Sequence, residues 1–430
     1  MAIITYITLI AFAMIMGCKA DVWVGYSVNA NYRVASANVD ASSQLQQAIS
    51  DVYAGTVVGP VLVEQGVYLI STNIIMASDV ELKGIGASQS ILKLVNNASS
   101  WWTDNSTVSG MIRIVDSSNV RISLLTLDGN KMKQNNSDIA HVYGKYGIYV
   151  QNSQGVNVYN ATVQNFQGYG VALSQQTDTT ISDVTFDSCI ISHNNWDGIY
   201  IDNYANVAIR TSEMDMNMRH AVNVANGSQN IEILYNTMQN NGLYFPETIG
   251  GCGINVDTNM NVDAPFIYVN NNTMTNNFYA GFCMSNTPNT NMSFNTISNS
   301  NYCLVLNSDM FSNFTYNDCL NITMASNLVD DATTNDPSNM FAGNVFNSST
   351  NLTAQYNSTF PVPTFAYVPP DTLPVELSPA SPPTPDTTTY PQYQIPPFSS
   401  SSPLNIKTGN SAESVGSSML IVLGFVIMMM

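Results

Sequence analysis

Charge is scarce in this sequence. Only 10% of its 430 residues are Asp, Glu, Lys or Arg, and 30 acidic side chains face 12 basic ones for a formal net charge of −18. About a quarter is usual for a soluble domain. So few Lys and Arg exclude a protein that holds nucleic acid through a basic surface. Apolar residues are not scarce, at 45% with 10% aromatic, which excludes a charged disordered chain. An internal apolar run of roughly 20 residues, the length of a membrane span, is missing. Sustained helical periodicity is missing too. What is abundant instead is Asn, Ser and Thr between short β-like runs, the composition of an extracellular, glycosylated β protein.

The two ends carry the longest apolar stretches. Residues 3–16 precede Cys18-Lys19-Ala20, with small residues at −3 and −1, so 1–20 reads as a secretory signal peptide. Ile15-Met16-Gly17-Cys18 also imitates a bacterial lipid-attachment site. Residues 419–430 are almost wholly apolar and follow the small residues Gly409, Asn410 and Ser411 and a polar spacer. Residues 411–430 thus have the layout of a GPI-attachment signal, with a short transmembrane tail as the alternative. Residues 360–410 hold 13 of the 18 prolines among many Ser and Thr. Such a stretch buries no core, so a disordered stalk is expected there. Twelve Asn-x-Ser/Thr sequons are acceptors for N-glycans in a secreted chain.

Beyond residue 20 five cysteines remain, an odd count. Cys252 with Cys283, and Cys303 with Cys319, are candidate disulfides, and Cys189 in its apolar run reads as a buried thiol.

A short phrase organises the middle: a small residue, then apolar, any, apolar. It begins at Gly147, Gly170, Gly198, Ala221, Gly253, Gly281 and Cys303, in steps of 23, 28, 23, 32, 28 and 22 residues. A period in the twenties with one or two further short strands per step signals a solenoid. The fixed Leu and Asn ladder of leucine-rich repeats is absent. Three short strands per turn predict one all-β domain over 36–350, a single right-handed parallel β-helix. Apolar residues at +1 and +3 then point inward and those at +2 and +4 outward. Asn152, Asn203, Asn226 and Asn286 recur at +5, where a tight turn tolerates left-handed backbone. Residues 42–52 read as a short amphipathic helix that caps the open end. The segments 61–70 and 80–86 resemble the opening coils of pectin-lyase-like β-helix proteins.

Stacked coils turn outward residues into columns. One column reads Gln151, Ser174, Asp202, Ala225, Asp257, a second Tyr149, Ala172, Tyr200, Asn223, Asn255, and a third, just before the small residue, Tyr146, Tyr169, Asp197, His220, Cys252. Polar, aromatic and titratable groups therefore collect on coils 145–260. Arg219, one of five arginines, precedes His220.

Asp197-Gly-Ile-Tyr-Ile-Asp202, followed 17 residues later by Arg219-His220-Ala-Val-Asn-Val, resembles the catalytic module of mannuronan C5-epimerases. Leu127-Asp128-Gly129-Asn130-Lys131 resembles an upstream phrase of that family. Its Tyr-Gly-Phe-Asp-Pro-His motif falls on Tyr169-Gly170-Val171-Ala172-Leu173-Ser174, so the Tyr and Gly match while Ala172 and Ser174 replace the Asp and the catalytic His. The resemblance implies chemistry on acidic polysaccharide that begins by removing the C5 proton of a uronic acid. Arg219 would neutralise the sugar carboxylate through a bidentate fork, and Asp202, if protonated, would donate to it. Tyr169 is retained as an acid or base, and His220 and His193, then Tyr200, are candidates for the missing role. Asp197, Tyr200, Tyr149 and Lys145 are candidate substrate contacts, and His141 shares the loop of Lys145. A lyase shares the first step. A polygalacturonase-like hydrolase needs opposed carboxylates, of which Asp197 and Asp202 remain. Calcium is a candidate cofactor at Asp183 with Asp187, or Asp257 with Asp263. The alternative to an enzyme is a non-catalytic glycan-binding or structural β-helix with an eroded site, held at the outer cell surface.

Overall fold

The computed structural model describes residues 22–347 except 28–29, 35–38, 99–108, 135–144, 176–182, 243–250, 259–265, 308–311, 323–327 and 331–339. The expected leader, stalk and tail, together with His141 and Asp263, lie outside the described residues. The chain divides into two units, Met1–Pro369 and Pro370–Met430, and only the first contains described residues.

The repeated phrase builds one face of a parallel β-helix. Each coil contributes three short strands, and like strands of successive coils pair in parallel. Among the described residues this produces three sheets of 13, 11 and 10 strands. Crossovers between parallel strands are almost always right-handed. In the third sheet the register runs Ile148, Val171, Ile199, Val222, Ile254, Phe282, Leu304, all fully buried. These are the +1 residues of the phrase, and the +3 residues form a second inward column beside them. Glycine opens most of these coils because there is little room beside it. A Cβ at Gly198 would stand 2.6 Å from Ala221 O and 2.9 Å from Asn217 Nδ2, and one at Gly253 would stand 2.7 Å from Gly281 O.

The corners explain the abundance of Asn. Asn152, Asn203, Asn226 and Asn286 hold φ of 46°, 52°, 32° and 50°, the left-handed turns expected of them. Other asparagines lie inside the corners and stack. Asn236, Asn272, Asn295, Asn317 and Asn344 form one ladder, and Asn194, Asn217, Asn241 and Asn277 another. Asn272 Oδ1 accepts from Asn236 N at 2.9 Å and Asn236 Nδ2 at 3.0 Å, and Asn272 Nδ2 donates to Ile233 O at 2.8 Å. Each amide thereby pairs backbone groups that the corner would otherwise bury unpaired.

The open end is capped as expected by a helix, Ser42–Tyr53, which buries Leu45, Ala48 and Ile49. The first sheet starts earlier than the sequence suggests: Val22–Gly25 pairs with Val61–Val63. Cys252–Cys283 and Cys303–Cys319 are disulfides, and Cys189 is a buried free thiol that burial pushes up to about 11.

The ladders predict a large effect from one amide. Asn272→Leu leaves the Asn236 donors and Ile233 O unpaired, and should cost about 3 kcal/mol in urea unfolding at neutral pH. A loss below about 1 kcal/mol would mean that water or relaxation replaces the ladder.

Candidate functional site

The outer face of the third sheet gathers most of the aromatic and charged residues singled out in the sequence. Tyr146, Tyr149, Tyr169 and Ala172 form an apolar cluster outside the core, with Trp196 and Tyr200 packed on it. Tyr200 stacks flat on Tyr169, with centroids 4.7 Å apart and planes at 10°. Trp196 meets Tyr169 edge-on at 5.8 Å, and Tyr146 tilts against it at 5.1 Å. Ala172 pairs with Tyr149 on one side and Tyr200 on the other. A small side chain there makes room for both rings, a physical reason for alanine where the resembled motif has Asp. Ser174, at the histidine position of that motif, is hydrogen-bonded to Tyr149.

Arg219 is held from two sides. Its guanidinium carbon lies 5.4 Å from the Trp196 ring centroid, and its Nη1 is 3.7 Å from Asp197 Oδ2. Its side chain keeps 23% of its exposure, whereas that of Asp197 keeps none. Asp197 Oδ1 accepts from His220 N at 3.0 Å, and Oδ2 accepts from Asn223 Nδ2 at 2.9 Å. Burial raises its pKa above the ordinary value, against the opposing pull of Arg219 and the two hydrogen bonds. Both oxygens are committed to the protein, so Asp197 positions Arg219 and its neighbours and is no surface contact for substrate.

Two other expected groove residues also turn out to be enclosed. His220 is fully buried, and its Nδ1 accepts from Cys252 N at 3.0 Å. That bond requires a lone pair on Nδ1 and places the proton of the neutral ring on Nε2. Burial and the nearby Arg219 hold its pKa well below the ordinary value. The imidazole thus ties its coil to the next and does not face a groove. Lys145 is buried, donates to Gln167 Oε1 at 3.2 Å, and has its pKa lowered by burial. It is neither a solvated loop charge nor an open contact. The position just before the small residue was read from spacing as outward. It lies instead where the chain turns into the strand, and neighbouring coils cover it.

Asp202 remains partly exposed and accepts from Asn226 Nδ2 at 2.7 Å. Tyr169 and Tyr149 are almost covered, and burial raises both phenols above their ordinary value, so each stays protonated at neutral pH. His193 sits in a left-handed corner, exposed, at the start of the turn to Trp196. Spacing missed Arg113, which pairs in register with Tyr149 and is partly exposed. Its strand carries Met111 opposite Gly147, where the phrase has a small residue, so a search for the phrase passes over it. Arg219 is therefore not the sole cation on this face. Among the described residues no three His, Cys, Asp or Glu side chains come together to hold a metal. Asp187 accepts instead from Ser188 at 2.9 Å and from Thr211.

A family profile described as "Right handed beta helix region" matches residues 90–262. No curated protein matches the chain in sequence. Among solved structures it is similar to the A-module of the Azotobacter vinelandii mannuronan C-5 epimerase AlgE6, at 17% identity and TM-score 0.59, over 75% of this chain and 94% of that one. The polygalacturonase of Erwinia carotovora ssp. carotovora matches at 14% identity and TM-score 0.55, over 78% and 96%. The Yersinia enterocolitica family 28 exopolygalacturonase matches at 13% and 0.57, over 77% of each chain.

The buried imidazole predicts a pH dependence. A histidine with a lowered folded pKa takes up its proton only on unfolding, so stability falls as pH drops below the unfolded value near 6.5. His220→Asn should remove one proton's share of the fall between pH 7 and 5, about 1.4 kcal/mol per pH unit below 6.5. An unchanged slope would show that the ring titrates freely. With its three parallel sheets and these likenesses, the chain folds as a right-handed parallel β-helix.

Proposed function

We propose that the outer face of the third sheet binds an acidic polysaccharide, with a uronate carboxylate on Arg219 and sugar rings on the Tyr169–Tyr200 stack. The observation that carries this reading is the restraint on Arg219. A guanidinium fixed between Trp196 and the buried Asp197 is pre-oriented, so little side-chain freedom is lost on binding. Arg113 and Asp202 add polar groups farther away on the same face, each beside Tyr149. The epimerase and polygalacturonase folds to which the chain is similar support a polysaccharide partner. We place the protein outside the cell, N-glycosylated, and attached to the surface by a lipid anchor or C-terminal tail.

The reaction class we assign to this face is proton abstraction at C5 of the bound uronate, ending in epimerisation or elimination. Arg219 would neutralise the carboxylate and make the C5 proton acidic. Tyr169, protonated, suits the acid that delivers a proton to the opposite face. Asp202 is a partly exposed carboxylate farther along the strands, beside Tyr149. A second reading has its own support: Ala172 and Ser174 stand where the resembled motif has Asp and His, and His220 is sealed. On that reading the face binds glycan without turning it over. Inverting hydrolysis is disfavoured, because Asp197 is committed to Arg219 and cannot oppose Asp202 across a substrate.

Incubation of the ectodomain with polymannuronate, polygalacturonate or heparosan-like chains in heavy water separates the readings. Deuterium at C5 by NMR is the expected result for the enzyme, and binding without exchange leaves the glycan-binding reading. Arg219→Ala should weaken uronate binding about thirtyfold, the equivalent of about 2 kcal/mol for one charge-assisted fork. Arg219→Lys should recover part of it. Unchanged affinity in Arg219→Ala would remove the uronate site.

A further inference from the structure

The column just before the strands of the third sheet continues past the Arg219 coil. Backbone bonds from Gly147 N to Tyr169 O, Gly170 N to Asp197 O, Gly198 N to His220 O and Ala221 N to Cys252 O align Tyr169, Asp197, His220 and Cys252 in neighbouring coils. The register then carries Cys252 to Ala280 and Ala280 to Tyr302. Tyr169 and Tyr146 thus lie two and three coils before the Arg219 coil, and Tyr279 and Tyr302 lie two and three coils after it.

The later pair forms a second apolar cluster outside the core. Tyr279 and Tyr302 meet edge to face at 5.3 Å and pack against Ala280, Val305 and the Cys252–Cys283 disulfide. Both rings remain partly exposed. Between the two aromatic pairs lie Arg219, Asn223 and Asn255, with Asn255 Nδ2 donating to Asn223 Oδ1 at 3.0 Å. Gly251 puts no side chain between the coils of Arg219 and Tyr279. The face therefore runs aromatic, charged, aromatic along the helix axis.

We infer that Tyr279 and Tyr302 form a distal subsite for the polysaccharide, holding sugar rings two to three units from the one on Arg219. This rests on the uronate reading of the same face and adds to it that the ligand is a polymer lying along the axis. One coil advances by about 4.8 Å, close to one sugar unit, so each ring of a chain meets one coil. Tyrosine faces take the C–H side of a pyranose and their hydroxyls its polar rim. They recognise the ring and not its charge.

Binding of size-defined oligomannuronates and oligogalacturonates tests this with the full ectodomain. The wild-type protein should hold a hexamer about tenfold tighter than a trimer. Tyr302→Ala should remove about fivefold of the hexamer affinity and leave the trimer unchanged. Tyr302→Phe should keep most of it. The hexamer advantage should persist at high salt, where the Arg219 contribution shrinks. Equal wild-type affinity for both oligomers, or full hexamer affinity in Tyr302→Ala, would overturn the subsite while leaving the Arg219 site in place. Equal loss on both oligomers would also overturn it, because the ring would then serve the fold. If the wild-type protein binds neither, the uronate reading falls and the subsite with it.

Discussion

Stacking of buried asparagine amides from coil to coil is the constraint on which the rest depends. A parallel β-helix satisfies its strands by pairing, but each corner turns backbone donors and acceptors into a region without water. In the ladders from Asn194 to Asn277 and from Asn236 to Asn344, each amide after the first accepts from the one before and donates to a backbone carbonyl, so these two corners are as regular as the sheets. The ladder sets the space beside it. At Gly198 and Gly253 a Cβ would meet the amides of Asn217 and Asn277, each at 2.9 Å, so the strand opens on a small residue. The small residue sets the register, and the register sets the columns. Functional side chains more than twenty residues apart are thereby delivered to adjacent coils.

The same rigidity makes sense of a buried carboxylate in a chain so poor in charge. Desolvation of Asp197 is costly and is offset only by several partners at once. Arg219, Asn223 Nδ2 and His220 N provide them, two from outward or corner side chains and one from the backbone. The outcome is a single guanidinium with a defined direction above an aromatic floor. A mobile surface arginine in bulk solvent would bind a carboxylate weakly. One anchored to a buried acid and a tryptophan retains its orientation before the ligand arrives.

Much of this was legible in the residues. The recurring phrase from Gly147 to Cys303 carries the coil register, the inward columns and the helix cap at 42–52 follow from pattern, and both candidate disulfide pairs form. The asparagine ladders were not foreseen, because an Asn in a turn looks the same whether its amide points to water or stacks inside. Asp197 and His220 were read as outward for a related reason. Period-2 alternation assigns faces within a strand and stops at its first residue, where the chain is still turning. Arg113 escaped because Met111 stands in its coil where the phrase has a small residue. The aromatic cluster was present as separate tyrosines. Ala172 sits between Tyr149 and Tyr200 within it, a residue that the resembled motif marked only as a loss.

The central claim is that Arg219 is the carboxylate anchor of an acidic polysaccharide on the third sheet. A crystal structure of the ectodomain with a bound hexauronate tests it most directly. The account predicts one sugar carboxylate forked onto the Arg219 guanidinium, a ring over Tyr200, and the chain running along the helix axis towards Tyr302. A hexauronate bound on another face, or lying on this one with Arg219 still turned only to Asp197 and Trp196, would contradict it.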